Sequence, residues 1–95
     1  MSSPRPTVVL FSASWCKPCK AVYPALGSLA IEMPEVDFGI VDIDEEAELA
    51  LSLGIMAVPT LKVYVDEGKT VAVSKTGGMQ GEGKLREIVA GALSS

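Results

Sequence analysis

Two cysteines separated by two residues are the clearest candidates for chemistry in this sequence. Cys16 and Cys19 are its only cysteines, and the chain contains no histidine. A cysteine thiolate acts as a nucleophile or a metal ligand, and a C-x-x-C pair can also close into a disulfide. Without histidine, imidazole acid–base catalysis and imidazole metal sites are excluded. Thiol–disulfide exchange is therefore the favoured chemistry.

The position of the pair supports this interpretation. Residues 7–12 form a continuous apolar, β-rich run typical of a buried strand, and helical spacing begins near Cys16. A cysteine at a helix N-terminus faces the positive end of the helix dipole, which favours thiolate over thiol. Lys17 adds positive charge and Pro18 suits a first helical turn. We expect Cys16 to be the nucleophile and Cys19 to resolve the mixed disulfide.

Other uses of the pair remain open. Zinc needs four ligands and the chain offers two thiols, so a metal or an iron–sulfur cluster would have to be shared between two chains. A permanent structural disulfide across two residues would constrain the unfolded chain very little. Neither reading is favoured, and we expect no metal and no cofactor other than the Cys16–Cys19 disulfide itself.

Length and composition indicate one packed domain over residues 1–95, with residues 1–6 as a flexible lead-in. The chain is 48% hydrophobic and 21% charged, the balance of a globular protein. Its net charge of −4 and scattered bases argue against a nucleic-acid or acidic-membrane partner. The sequence offers neither an export signal nor a membrane span, so we expect a cytoplasmic protein without membrane attachment.

The hydrophobic pattern predicts the element order β-α-β-α-β-β-α. Predicted strands cover residues 7–12, 36–42, 60–65 and 70–75, and predicted helices cover residues 16–33, 44–54 and 82–93. Pro24 should kink or break the first helix. Asp44 should cap the second, with Ala47, Ala50 and Leu51 facing inward. Residues 66–69 should form a hairpin turn. This order implies a four-stranded mixed sheet with helices on both faces.

Several motifs resemble those of the thioredoxin family. Residues 11–20, F-S-A-S-W-C-K-P-C-K, resemble the family's strand–W-C-x-P-C-K–helix signature, and Pro24 falls where its active-site helix is kinked. Val58-Pro59-Thr60 resembles its cis-proline turn, and Gly77-Gly78 the glycine that ends its last hairpin. The resemblance spans roughly residues 7–93 and implies a minimal thioredoxin fold.

The resemblance also implies roles and partners. Trp15 is expected to shield the sulfurs and contact the partner, although a core position is the alternative. The implied substrate-binding residues are Trp15, Lys17, Pro18, Val58, Pro59, Thr60, Gly77 and Gly78, with Pro59 preceded by a cis bond rather than an ordinary trans one. The implied partners are disulfide-containing proteins and a thioredoxin-reductase-type electron donor.

Some residues depart from the family pattern. The buried Asp usually found six residues before the nucleophile is Leu10, and the Lys that often pairs with it aligns with Ile40. Ser12 replaces a commonly aromatic residue, and Lys17 a usual glycine. The sequence also starts near the family's second strand, so we expect residues 36–42 to form an exposed edge and to support a weak homodimer.

Three functions are compatible with these residues. The leading one is a protein-disulfide reductase recharged by a separate reductase. A glutathione-linked, glutaredoxin-like reductase is suggested by the short length. A thioredoxin-like redox-sensing binding module is the non-enzymatic alternative.

Overall fold

The elements follow one another in the order predicted from the sequence. The computed structural model describes residues 5–65, 70–77 and 81–93. Within these residues the elements are β1 (Thr7–Ser12), α1 (Lys17–Glu32), β2 (Asp37–Asp42), α2 (Ala47–Ser52), β3 (Thr60–Val65), β4 (Thr70–Thr76) and α3 (Glu82–Leu93). The predicted hairpin turn at residues 66–69 lies outside the described residues.

The strands form one mixed sheet in the order β2-β1-β3-β4. β1 runs parallel to β2 and antiparallel to β3, and β3 runs antiparallel to β4. β1 therefore lies inside the sheet, which explains why its sequence is apolar without interruption. β2 forms one edge. This arrangement confirms the predicted four-stranded mixed sheet.

The main core lies between one face of the sheet and the two longer helices. Strand residues of this core include Val8, Leu10, Leu61 and Val63, and helix residues include Val22, Leu26, Leu29, Leu85 and Val89. Side chains alternate between faces along a strand, so Phe11 belongs to the opposite face, where it is also buried. Each such side chain contributes about 1.5–3 kcal/mol on burial.

Helix α1 carries the reactive pair at its start and continues through Pro24 without a break. Pro24 is exposed, and Lys20, whose carbonyl would otherwise accept the missing N–H, is exposed as well. Solvent can therefore satisfy that carbonyl. The helix ends at Glu32, with Met33 as its C-cap and Pro34 next.

The predicted start of α2 was wrong. Asp44 does not cap it, because the helix begins at Ala47 after Glu46, whose side chain makes no capping hydrogen bond. The free N–H groups of this turn are taken by Asp42, whose Oδ1 accepts from the Asp44 and Glu45 nitrogens at 2.8 and 3.3 Å. Asp42 thus stabilises the turn before α2 and does not cap the helix itself.

The inward face of α2 also differs from the prediction. Ala50 is buried, but Ala47 is exposed and Leu51 has 80% of its surface exposed. α2 has six residues and makes fewer than two turns. It is therefore packed against the rest of the chain by one small buried side chain, that of Ala50. None of the described helices is long and apolar enough to span a membrane.

Candidate active site

The two cysteines lie where β1 gives way to α1. Cys16 is the N-cap residue of the helix, in an extended conformation with φ −93° and ψ 106°. Its nitrogen donates to the Ala13 carbonyl at 3.1 Å, which closes the short turn from the strand. Cys16 and Cys19 are joined by a disulfide bond, with their Cα atoms 5.3 Å apart. The predicted junction is therefore the actual site of the pair.

The start of α1 provides an environment that favours negative charge on Cys16. The Cys19 N–H donates to Cys16 Sγ at 3.2 Å, so the sulfur acts as the capping group of the helix. Pro18 occupies the first turn, and no acidic residue is found there. A sulfur that already accepts a backbone N–H at the positive end of a helix gains from becoming a thiolate.

The sulfurs are enclosed by small and apolar side chains. Cys16 is 4% exposed and Cys19 is fully buried. Both pack with Ala13, and Ile43 and Val58 cover this cluster. Because Cys16 retains the only residual exposure of the two, an incoming sulfur reaches it more readily than Cys19.

Trp15 extends over the surface beside the pair and is not a core residue, because 65% of it is exposed. Its indole Nε1 donates to Asp44 Oδ2 at 2.9 Å. This bond fixes the ring beside Cys16 while leaving its faces open. Lys17 and Pro18 are exposed on the helical side of the pair.

The loop before β3 also contacts the cysteine cluster. The Val58–Pro59 bond is cis, and Val58 packs against the cysteine cluster. The Pro59 carbonyl accepts from Gly77 N at 2.9 Å. Thr60 is buried, and its hydroxyl donates to the Ala57 carbonyl at 2.7 Å. Only 4% of Thr60 is exposed, so little of this residue is open to a partner.

The structure brings most of the predicted substrate-binding residues to one place. Val58 touches the cluster, and Gly77 is tied to Pro59 by the hydrogen bond above. Gly77 has φ +69°, a conformation that favours glycine. Gly78 lies outside the described residues.

Two features of the site were missed by sequence reasoning. Ile43 covers the cysteines, and its neighbour Asp44 holds Trp15, although Asp44 was assigned to capping. Ser12 Oγ and Tyr23 Oη are hydrogen-bonded at 2.5 Å. Ser12 is buried at the end of β1, and Tyr23 is one helical turn after Cys19. The only available signal was the small polar residue at position 12, which left room for a ring from α1.

Among the described residues, no group of His, Cys, Asp or Glu side chains could hold a metal ion. The cysteines are joined to each other and are surrounded by apolar groups. What the site can do chemically is accept and release two electrons through one disulfide.

Comparison with known proteins places this geometry in context. The thioredoxin family model matches residues 1–91. The chain is 42% identical to "Thioredoxin H2" of Arabidopsis thaliana over 64 residues, 67% of this chain and 47% of that protein. It is 35% identical to "Thioredoxin X, chloroplastic" of Arabidopsis thaliana over 97 residues, 100% of this chain and 52% of that protein.

A solved structure gives the same result. The thioredoxin of Fasciola hepatica superimposes with a TM-score of 0.81 and 36% sequence identity, covering 93% of this chain and 81% of that one. The matched region spans about half the length of the two Arabidopsis relatives.

Proposed function

The chain belongs to the thioredoxin family, and on this premise we propose that it is a protein thiol–disulfide oxidoreductase that reduces disulfides in partner proteins. The observation that carries the proposal is the Cys16–Cys19 disulfide at the start of α1, with the Cys19 N–H donating to Cys16 Sγ. Such a pair is oxidised and reduced within one helical turn, without unfolding the chain.

The proposed reaction has two exchange steps. The Cys16 thiolate attacks one sulfur of the partner disulfide, which forms a mixed disulfide and releases the first partner thiol. Cys19 then loses its proton and attacks Cys16 Sγ, which restores the Cys16–Cys19 disulfide and releases the second partner thiol. Two electrons pass from the chain to the partner, and a thioredoxin-reductase-type donor returns them. The complete burial of Cys19 supports its role as the second nucleophile.

The partner segment is proposed to bind between two walls. Trp15, Lys17 and Pro18 form one of them. The other consists of Val58, Pro59, Thr60, and Gly77 with Gly78. The packing of Val58 on the cysteines and the exposure of Trp15 support this assignment. The activity requires a reduced pair, so we place the chain in a thiol-reducing compartment such as the cytosol.

Insulin reduction tests the function. The reduced wild-type chain should accelerate cleavage of the insulin disulfides, and Cys16→Ser should return the rate to that of the uncatalysed reaction. Cys19→Ser should instead accumulate a mixed disulfide, seen by mass spectrometry without reductant, because the resolving thiol is gone. Equal rates for wild type and Cys16→Ser would leave only a redox-sensing binding module.

The source of electrons is tested in the same assay. We expect recycling by NADPH and a thioredoxin reductase. Efficient turnover with glutathione, together with no reduction by a thioredoxin reductase, would reassign the chain to glutaredoxin-like chemistry.

We further propose a weak homodimer through β2. Asp37 N donates to the Pro6 carbonyl and Ile43 N to the Ser12 carbonyl, so odd-numbered residues face β1. In a parallel ladder the N–H and C=O groups of Phe38 and Ile40 then point away from the sheet. A groove of about 310 Å³ runs beside this edge, lined by Tyr23, Leu26, Gly27, Ala30, Phe38, Gly39 and Ile40.

Two β2 edges are complementary when they pair antiparallel about Gly39. Phe38 of each copy then faces Ile40 of the other, an aromatic–β-branched pair that stabilises neighbouring strands. Asp37 faces Val41 of the other copy, so no two carboxylates oppose each other directly.

A further inference from the structure

The surface beside the disulfide carries an unusual density of carboxylates. Five of the seven residues from 42 to 48 are acidic, namely Asp42, Asp44, Glu45, Glu46 and Glu48. All but Asp42 are exposed. Among the described residues, the salt bridges are Arg5–Asp37 and Arg86–Glu32, and neither involves this acidic run. The run therefore presents its negative charge to solvent.

The acidic run adjoins the reactive pair through Ile43 and Asp44. Ile43, within the run, packs against the cluster of Ala13, Cys16 and Cys19. Asp44 accepts the indole N–H of Trp15, the residue before Cys16. A partner that brings a sulfur to Cys16 therefore comes close to this run at Ile43 and Asp44.

Exposed apolar side chains flank the same site. Trp15 is 65% exposed and Met56 is 92% exposed. Met56 lies two residues before Val58, which covers the cysteines. These two side chains offer apolar surface to a partner that docks at Cys16. A flexible thioether adapts to many partner shapes.

We propose that this surface selects disulfide-bonded partners that carry Lys or Arg together with an apolar side chain next to the reactive cysteine. The inference rests on the proposed reductase function and names its substrate class. Asp42 and Asp44 are engaged by backbone N–H groups and by Trp15, which holds the run in place. The carboxylates of Glu45, Glu46 and Glu48 then attract the positively charged Lys or Arg side chain of the partner. Lys17 and Lys20 on α1 contribute only two opposing charges.

Charge should act mainly on the rate of encounter. Complementary charges around a site accelerate association and suppress partners of like charge, and salt weakens both effects. The apolar side chains should act on the bound complex instead, because they lose contact with water only after docking.

The test uses two cystine peptides of equal length that differ only at two positions flanking the disulfide, occupied by Lys in one and Glu in the other. At about 20 mM salt, we expect kcat/KM to be about 10-fold or more higher for the Lys peptide. At about 300 mM salt the advantage should largely disappear.

A pair of matched variants assigns the effect to this surface. Glu45→Gln/Glu46→Gln removes two charges beside the site and should reduce both the preference for Lys and its salt dependence. Glu35→Gln/Glu87→Gln makes the same change in net charge and should leave them unaltered. Glu35 follows the far end of α1, and Glu87 adjoins Arg86, which is bonded to Glu32 at that end.

Met56 is tested in the same way. Met56→Gln should raise KM for a peptide with Leu beside its cysteine and leave kcat unchanged. The control is Ile31→Gln, which replaces another highly exposed apolar residue at the far end of α1.

The outcomes separate this inference from the proposed function. If neither peptide is reduced, the reductase function itself fails. If both are reduced at equal rates at low salt, the function stands and the charge selection is overturned. An equal effect of the Glu35/Glu87 variant would also overturn it, since the preference would then follow net charge. If KM is unchanged in Met56→Gln, the proposed apolar contact of Met56 with the partner is overturned.

Discussion

Leu10 and Ile40 stand at the positions where thioredoxins usually carry a buried Asp and often a Lys that pairs with it. The structure makes them register partners in β1 and β2, so their side chains share one face of the sheet. Leu10 is fully buried, whereas Ile40 is about half exposed. The replacement of both residues keeps an unpaired charge out of the core, because a lone buried charge is costly.

This pairing predicts a specific coupling. Leu10→Asp should lower the free energy of unfolding by about 3 kcal/mol or more at pH 7, because a carboxylate is then buried without a partner. Ile40→Lys should cost less than about 1 kcal/mol at its half-exposed position. The loss of unfolding free energy in the double variant should be smaller than the sum of the two single losses by about 1 kcal/mol or more. Urea unfolding of the wild type, the two single variants and the double variant measures these free energies.

The pH dependence provides the control for this cycle. Burial raises the pKa of a carboxyl, so the folded Leu10→Asp chain should bind a proton more tightly than the unfolded one. Its deficit should therefore grow as the pH rises above about 3.9 and shrink below it. Strictly additive effects of the two substitutions would contradict the pairing of positions 10 and 40, and a deficit independent of pH would contradict the burial of the carboxylate.

The reactive residues could be predicted from the sequence because few residue types do this chemistry. With two cysteines and no histidine, the choice of Cys16 and Cys19 was determined by composition. The supporting residues were harder to predict. The Ser12–Tyr23 hydrogen bond joins residues on different elements, and a hydrophobic pattern carries no information on which polar side chains meet across an interface.

At the scale of elements, α1 and α3 are joined at one end by an ion pair. Arg86 Nε donates to Glu32 Oε2 at 2.7 Å, and Arg86 Nη2 donates to Oε1 at 2.9 Å. The hydrogen bond from Arg86, helped by its positive charge, lowers the pKa of Glu32 below the usual glutamate value. Protonation of Glu32 in the folded chain is therefore harder than in the unfolded one.

The sign of the resulting pH effect follows directly. A lowered pKa contributes stability above the unfolded glutamate pKa of about 4.3, and this contribution is lost as the pH falls through the folded value. The stability advantage of the wild type over Glu32→Gln should thus be present at neutral pH and disappear on acidification. Urea unfolding between neutral and acidic pH measures it, with Glu35→Gln as control. Both partners are partly exposed, so high salt should reduce the advantage. The same difference at every pH would exclude this role.

Element boundaries followed from the sequence wherever periodicity was strong. β1, β3 and α3 have the predicted limits, because a continuous apolar run, a strict alternation and a helical stripe are each clear signals. α2 was predicted less well. The Asp44 carboxylate, expected to cap this helix, instead accepts the indole N–H of Trp15, a long-range contact that the local pattern does not reveal.

At the scale of the whole molecule, β2 is one of the two edge strands of the sheet that the described residues form. Exposed strand edges invite added strands unless charge or shape blocks them. Asp37 lies at one end of β2 beside Arg5, with which it forms a salt bridge, and Asp42 lies at the other end. The centre, Phe38-Gly39-Ile40, is uncharged and borders the apolar groove. This edge therefore carries a charged residue at each end and none at its centre.

The proposed homodimer should be weak and promoted by salt. Six residues per strand provide a short ladder, so we expect a dissociation constant of about 0.1–1 mM. The net charge of −4 on each copy opposes association, and raising salt from about 20 to 300 mM should screen this repulsion and strengthen the dimer. Sedimentation velocity over a range of concentrations measures both effects.

Substitution at the edge tests the pairing register. Ile40→Glu places a carboxylate opposite Phe38 of the other copy and should abolish association, because a charge would lose water against a ring. Ile31→Glu makes the same change of charge on an exposed residue outside the groove and should leave the dimer intact. A wild-type sedimentation coefficient that does not change with concentration would exclude the dimer. Equal loss in both variants would attribute association to net charge rather than to the β2 edge.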